Sequence, residues 1–123
     1  MPAKRILCVE DNEDTCFILE TLLSRQEFEV LSAPDAEEAL RLIEREKFDL
    51  YVVDTALPAM SGLDFCKEVR KSDAKTPILI YSAAAFDADR EEGLLAGANA
   101  YIAKPNVEEI VPTVRRLLGE PAM

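Results

Sequence analysis

Leu50-Tyr51-Val52-Val53-Asp54, followed by Thr55-Ala56-Leu57-Pro58-Ala59-Met60-Ser61-Gly62, is the stretch around which this chain is organised. An unbroken run of strand formers ends on a carboxylate, and a loop punctuated by Pro58 and Gly62 begins. A strand with no polar alternation is covered on both faces, as parallel strands are when they lie between layers of helices. In open sheets of that kind ligands and chemistry gather beyond the C-terminal strand ends. Asp54 is therefore expected at the rim of the core, with its side chain facing a crevice.

The same pattern recurs on both sides of this segment. Arg5-Ile6-Leu7-Cys8-Val9 is a short apolar run that ends in the acidic Glu10-Asp11-Asn12-Glu13-Asp14. A helix is expected from about Asn12 to Gln26, with Leu19, Leu22 and Leu23 at helical spacing. The helix dipole accounts for Glu13 and Asp14 in its first turn. It accounts less well for Glu10 and Asp11, which fall at the strand end. Phe28 to Ala33 reads as the second strand. Asp35 then caps a helix to about Lys47, with Glu38 completing a capping-box pattern and Ala39, Leu40, Leu42 and Ile43 as its apolar stripe.

After Gly62 a third helix runs to about Ser72 and buries Leu63, Phe65, Cys66 and Val69. Pro77 to Ser82 is the fourth strand, with proline tolerated at its start. A helix from Asp87 to Ala96 stops at Gly97. Ala100 to Ala103 is the fifth strand and delivers Lys104-Pro105. Asn106 with Glu109 reads as a cap for a last helix carrying Val111, Val114, Leu117 and Leu118. Pro112 either bends that helix or lies at the start of its regular part. Five strand–helix units in alternation imply an α/β, doubly wound parallel sheet between two helical layers.

Size and composition narrow the function. A chain of 123 residues with 49% hydrophobic content is expected to form one domain, with its core at about residues 4–118 and a short C-terminal tail. Gly119 to Met123 reads as the possible start of a linker. No apolar run is long enough to span a membrane. Met1 to Arg5 leads straight into a strand without an apolar leader segment, so the expected compartment is the cytoplasm. The absence of histidine removes imidazole catalysis and most zinc chemistry. The cysteines, Cys8, Cys16 and Cys66, are read as small buried hydrophobes. A net charge of −10 disfavours nucleic acid as a partner.

Four of the expected strands end on groups able to face one crevice: Glu10 and Asp11, Asp54, Ser82, and Lys104. Any one of these is commonplace, but four in register call for a common cause. Clustered carboxylates resist ionisation unless a cation lies among them. Oxygen donors without histidine favour a hard ion, magnesium above all, with manganese as a substitute. Phosphoryl transfer needs charge neutralisation and in-line positioning more than acid–base help. Lys104 offers a point charge, Ser82 a hydroxyl, and Asp54 a nucleophile able to form an acyl phosphate.

Taken together, these residues resemble the receiver domains of two-component response regulators over essentially the whole chain. The resemblance is carried by Glu10-Asp11, Asp54, Pro58 and Gly62, Ser82, and Tyr101 with Lys104-Pro105. It implies a (βα)5 flavodoxin-like fold with strand order 2-1-3-4-5. It also implies that Asp54 accepts a phosphoryl group from a phosphohistidine on a sensor histidine kinase or histidine phosphotransfer protein and later loses it by autodephosphorylation. Glu10, Asp11, Asp54 and the Ala56 backbone carbonyl would hold the metal, while Ser82 and Lys104 contact phosphoryl oxygens. Tyr101 would be the switch aromatic that follows Ser82, and Lys104-Pro105 a cis peptide. A downstream protein would read the fourth-helix, fifth-strand, fifth-helix face, the protein being a monomer or a phosphorylation-dependent dimer. By the same resemblance, Ala56 and Ala84 would occupy the positions that tune phosphoryl lifetime in the family. Glu10 stands where Asp is commoner, and the segment after Pro105 is about a residue short.

Asn12, Thr15 and Ile18, at three-residue spacing beside the crevice, are candidates to dock the phosphodonor, with Pro105 adding an apolar contact; Ile18 as a core residue is the competing reading. An aspartyl phosphohydrolase would want an acid where Ala56 stands. A flavodoxin-type carrier would want a hydroxyl-rich loop where Glu10 to Asp14 stand. A receiver-like interaction module that is never phosphorylated is the remaining alternative. The protein is thus expected to be a self-phosphorylating switch rather than a conventional enzyme.

Overall fold

A computed structural model describes residues 2–120. Pro121 to Met123, the end of the stretch read as a linker, lie outside the described residues. The elements follow in strict alternation: β1 (Arg5–Val9), α1 (Glu13–Ser24), β2 (Glu29–Ala33), α2 (Ala36–Arg45), β3 (Leu50–Val53), α3 (Gly62–Arg70), β4 (Ile78–Ser82), α4 (Asp87–Leu95), β5 (Ala100–Ala103) and α5 (Ile110–Leu117). All strand pairs are parallel, and the sheet order is β2-β1-β3-β4-β5. The five-stranded doubly wound fold is as the sequence implies.

Alternation along each strand divides the core between the two faces of the sheet. Leu7, Val9, Tyr51, Val53, Ile78 and Ile80 point to one side and pack with Phe65, Cys66 and Val69 of α3, Ala36 and Ala39 of α2, and Ala96 just beyond α4. Ile6, Cys8, Leu50, Val52, Leu79, Tyr81 and Ile102 point to the other and pack with Leu19 and Leu23 of α1 and Ile110 and Val114 of α5. Each large aliphatic side chain buried this way contributes roughly 1.5–3 kcal/mol. That is why β1, β3 and β4, in the middle of the sheet, show no polar alternation.

The helix ends bear out some expectations and correct others. Asn12 caps α1 by accepting from Thr15 N at 2.9 Å, and Asp35 caps α2 by accepting from Glu38 N at 2.8 Å. The Glu38 carboxylate pairs with Arg41 at 2.8 Å, so the α2 cap is one-sided rather than a closed box. Asn106 makes no side-chain cap at all. A 3-10 turn at Val107–Glu109 intervenes, and α5 begins at Ile110. Pro112 is thus in the first turn of α5, where an N–H has no partner within the helix to lose. The choice between a bend and a start is resolved as a start.

Backbone details set the positions of α1 and α4. Glu27 has φ +68° just after α1, where Phe28 N donates to Leu23 O at 3.3 Å and Glu27 N to Ser24 O at 3.0 Å. That arrangement closes a helix on a left-handed residue, a place usually given to glycine. Gly93 lets α4 lie close on the sheet: a Cβ there would meet Ile80 Cδ1 and the Tyr101 ring, both at 2.9 Å. Beyond α4, Arg70 ties the helix to the lower edge of the sheet. It donates to Gly97 O at 3.0 Å, to Asp73 O at 2.9 Å and to Asn99 Oδ1 at 2.9 Å. At the other end of α4, Asp89 reaches back to Phe86 N at 3.0 Å and Arg90 donates to Tyr101 O of β5 at 3.1 Å.

Candidate active site

Ladder hydrogen bonds continue one residue beyond the strands and fix where the chemical groups emerge. Glu10 N donates to Ala33 O at 3.0 Å, Asp54 N to Val9 O at 3.0 Å, and Lys104 N to Ser82 O at 2.8 Å. Each of these residues is held in register by the neighbouring strand, so its side chain leaves the sheet at a defined height. Glu10, Asp54 and Ser82 are the buried polar residues of the described chain. Asp11, one position further out, is exposed.

The loop after Asp54 closes tightly. Ala56 N donates to Asp54 Oδ1 at 3.1 Å, and Gly62 N to Thr55 O at 3.0 Å. A Cβ on Gly62 would lie 2.0 Å from the Asp54 carbonyl oxygen, so no other residue fits beneath the loop. Ala59 takes up the turn with φ +63°. Lys104 Nζ reaches across the crevice to Glu10 Oε1 at 2.8 Å and Asp54 Oδ2 at 3.1 Å. Its ammonium also lies 5.7 Å from the centre of the Tyr81 ring. The Lys104–Pro105 peptide is cis.

Burial raises the Glu10 carboxyl above its ordinary value, with the neighbouring Asp54 charge adding to it, against hydrogen bonds from Lys104 and Asn12 N that work the other way. Burial alone would lower the Lys104 ammonium; its hydrogen bonds to Glu10 and Asp54 prevail and raise it. Lysine is therefore a permanent cation here, held between carboxylates that repel each other. One carboxylate oxygen from each of Glu10, Asp11 and Asp54 lies within 4.8 Å of the others. This all-oxygen donor set, with a buried carboxyl already short of compensating charge, suits a hard divalent cation.

Of the candidate residues from the sequence, the structure brings Glu10, Asp11, Asp54 and Lys104 together, while Ser82 and Tyr101 make their bonds beside that group. Ser82 does not contact Asp54: its Oγ is 2.6 Å from Thr55 Oγ1 and accepts from Ala84 N at 3.2 Å. Tyr101 donates its hydroxyl to Ala84 O at 2.6 Å, and its ring is covered by the Arg90 guanidinium at 5.5 Å. Thr55, Tyr81 and Arg90 were not among the sequence candidates. Thr55 had a usable signal, a hydroxyl directly after the strand-end carboxylate; Tyr81 and Arg90 had none. Cys16 is half-buried, not a core residue, and its thiol donates to Glu10 O at 3.3 Å. Ile18 is exposed, as is Phe17 beside it, so the core reading of Ile18 is wrong.

A doubly wound sheet with two acids and a lysine converging on one strand-end aspartate is the arrangement of a receiver. The chain belongs to the response regulator receiver domain family, whose model matches residues 6–115. Among its relatives is the uncharacterized transcriptional regulatory protein YrkP of Bacillus subtilis, 44% identical over 107 residues, covering 87% of this chain and 46% of that protein. The chain spans about half the length of the curated relatives it matches. Of solved structures, a putative response regulator from Chloroflexus aurantiacus superposes with a TM-score of 0.91 at 33% identity, covering 96% of this chain and 99% of that one. The receiver domain of the Pseudomonas aeruginosa sensor histidine kinase PA1611, solved with magnesium coordinated in its active site cleft, gives 0.87 at 32% identity, with 96% and 99% covered. This chain is accordingly a receiver domain of the two-component response-regulator type.

Proposed function

We propose that Asp54 is a phosphoacceptor, taking its phosphoryl group from a phosphohistidine on a sensor histidine kinase or histidine phosphotransfer protein. The observation that carries this reading is Lys104 Nζ bridging Glu10 and Asp54 from the far end of the sheet. The buried Asp54 carboxylate is thereby held in place beside a cation that can receive phosphoryl charge. Its Oδ1 is fixed by Ala56 N and its Oδ2 by Lys104, which leaves the carboxylate aimed along one line.

In the transfer an Asp54 oxygen forms a bond to phosphorus while the bond from phosphorus to the donor imidazole nitrogen breaks. The departing electron pair stays on that nitrogen. Lys104 exchanges its Asp54 contact for a phosphoryl oxygen, and Ser82 turns its hydroxyl toward another. Glu10, Asp11, Asp54 and the Ala56 carbonyl would hold magnesium or manganese, which supplies charge neutralisation for phosphoryl oxygens. Autodephosphorylation is attack by water on the same phosphorus, releasing inorganic phosphate and restoring the carboxylate. Ala56 and Ala84 leave that approach open.

The exposed Phe17 and Ile18 on α1 supply an apolar surface beside the crevice for the phosphodonor. Asn12 and Thr15 are committed to each other as the α1 cap and serve less well as docking groups. Output leaves through the α4–β5–α5 face, with Tyr101 as the switch residue. No helix among the described residues is long and apolar enough to cross a membrane, which agrees with a cytoplasmic site of action. The test is incubation with acetyl phosphate, with and without magnesium, beside Asp54→Asn. Magnesium-dependent acyl phosphate on the wild type alone is the expected result. Acyl phosphate that survives Asp54→Asn, or never forms, removes the mechanism.

A further inference from the structure

We infer that Thr55 is a positioning residue for Ser82, holding its hydroxyl on the resting side of the crevice and so setting how readily the domain accepts a phosphoryl group. The inference rests on the phosphoacceptor role of Asp54. The two hydroxyl oxygens are 2.6 Å apart, 27 residues separated in sequence, at the ends of neighbouring strands β3 and β4. Ser82 is buried, so its hydroxyl depends on protein partners rather than water. Those partners are Thr55 Oγ1 and Ala84 N, and neither is part of the Glu10–Asp54–Lys104 set.

A serine hydroxyl has one proton and two acceptor positions. Ala84 N occupies one acceptor position, and the contact with Thr55 fixes the remaining geometry whichever hydroxyl donates. Turning Ser82 toward a phosphoryl oxygen on Asp54 gives up the Thr55 bond. The exchange therefore has a built-in opposing term that a chain with an aliphatic residue after its aspartate would lack. The Ala84 peptide carries the effect outward: its N–H is on Ser82 and its carbonyl accepts the Tyr101 hydroxyl at 2.6 Å. Thr55, Ser82, Ala84 and Tyr101 thus form one line of hydrogen bonds from the loop after Asp54 to the partly buried aromatic of β5.

The experiment measures binding of beryllofluoride with magnesium, and the acetyl phosphate concentration giving half-maximal phosphorylation. It compares wild type with Thr55→Val, Thr55→Ala and Thr55→Ser, each also made in a Ser82→Ala background. Removing one neutral hydrogen bond from the resting state should tighten beryllofluoride binding about three- to tenfold in Thr55→Val and Thr55→Ala. Thr55→Ser should restore the wild-type value. In the Ser82→Ala background Thr55→Val should change nothing, which a general packing role would not produce. Binding unchanged or weakened in both Thr55→Val and Thr55→Ala, or an equal effect without Ser82, overturns the inference and leaves the phosphoacceptor reading intact. A wild type that takes up neither beryllofluoride nor phosphate through Asp54 overturns both.

Discussion

Lys104 and Glu10 form an ion pair at 2.8 Å although 94 residues separate them and two strand ends lie between. The pair spans the crevice from β5 to β1 and passes over Asp54 on the way. A lysine at this position has no equivalent substitute. Its compact ammonium satisfies two carboxylates at once, where the wider guanidinium fork of arginine does not fit the same point. Lys104→Met is expected to lower the rate of acyl phosphate formation from acetyl phosphate by about 10- to 100-fold, the loss of one charge-assisted hydrogen bond. Lys104→Arg should recover little of it. Rates measured under saturating magnesium check both.

Asp11 has a different balance of duties. It is exposed and makes no part of the core. Asp11→Ala should leave unfolding free energy within about 0.5 kcal/mol of wild type. Its magnesium affinity should fall at least about tenfold, or ~1.4 kcal/mol. Calorimetric titration with magnesium and urea unfolding separate the two quantities. A loss of stability without a loss of magnesium affinity would assign Asp11 to the fold instead.

Gly62 bears directly on Asp54. With the Asp54 carbonyl 2.0 Å from where a Cβ would stand, Gly62→Ala must push the loop away from the strand end. The expected cost is about 3 kcal/mol, the upper end for forced overpacking. Phosphorylation should decline with it, because Ala56 and Thr55 move too. Urea unfolding gives the first number and acetyl phosphate labelling the second.

Glu27 offers the reverse experiment. Its left-handed backbone disfavours any residue with a Cβ. Glu27→Gly should raise stability by about 0.5–1 kcal/mol, the relief of strain being partly offset by greater freedom of the unfolded chain. A thermal melt of the two proteins at neutral pH decides it, and phosphorylation should be unchanged.

Asp73 lends the fold a pH dependence remote from the crevice. Partial burial works to raise its carboxyl, but the Thr76 hydroxyl, the N–H groups of Thr76 and Lys75 at 3.0 Å each, and the Arg70 charge outweigh it and hold it below the ordinary value. A carboxyl lowered in the folded state contributes stability above its unfolded value, and that contribution disappears as pH falls through the folded one. Asp73→Asn should therefore be less stable than wild type at pH 7, by at most about 1 kcal/mol for so solvated a group. The difference should close in acid. Urea unfolding across a pH series measures the gap.

The strands were legible because β1, β3 and β4 are buried on both faces, a condition that erases polar alternation from their sequences. The site was legible for a related reason: parallel pairing brings every strand end to one edge, so Glu10, Asp54, Ser82 and Lys104 had to meet. Other features had no such rule. The Thr55–Ser82 bond joins two common hydroxyl residues, and helical or strand periodicity is blind to it. Ile18 lies at helical spacing with core residues, yet it falls on the edge of the α1 stripe and emerges into solvent. The 3-10 turn before α5 was disguised by Asn106 and Glu109, which have cap spacing without cap geometry. Gly62 could be read as punctuation, but its reason, an oxygen at 2.0 Å, belongs to the folded chain alone.

The two ties of α4 have a mechanical consequence. Just past its C-terminal end the backbone is held by Arg70 through Gly97, and near its start Arg90 donates to the Tyr101 carbonyl at 3.1 Å, beyond the loop that carries Ser82 and Ala84. Midway, the bare Gly93 rests on the Tyr101 ring as on a bearing. Both ties converge on β5 and the turn before it, so a displacement of Ala84 would meet the helix first at its N-terminal tip, where the exposed Phe86 stands.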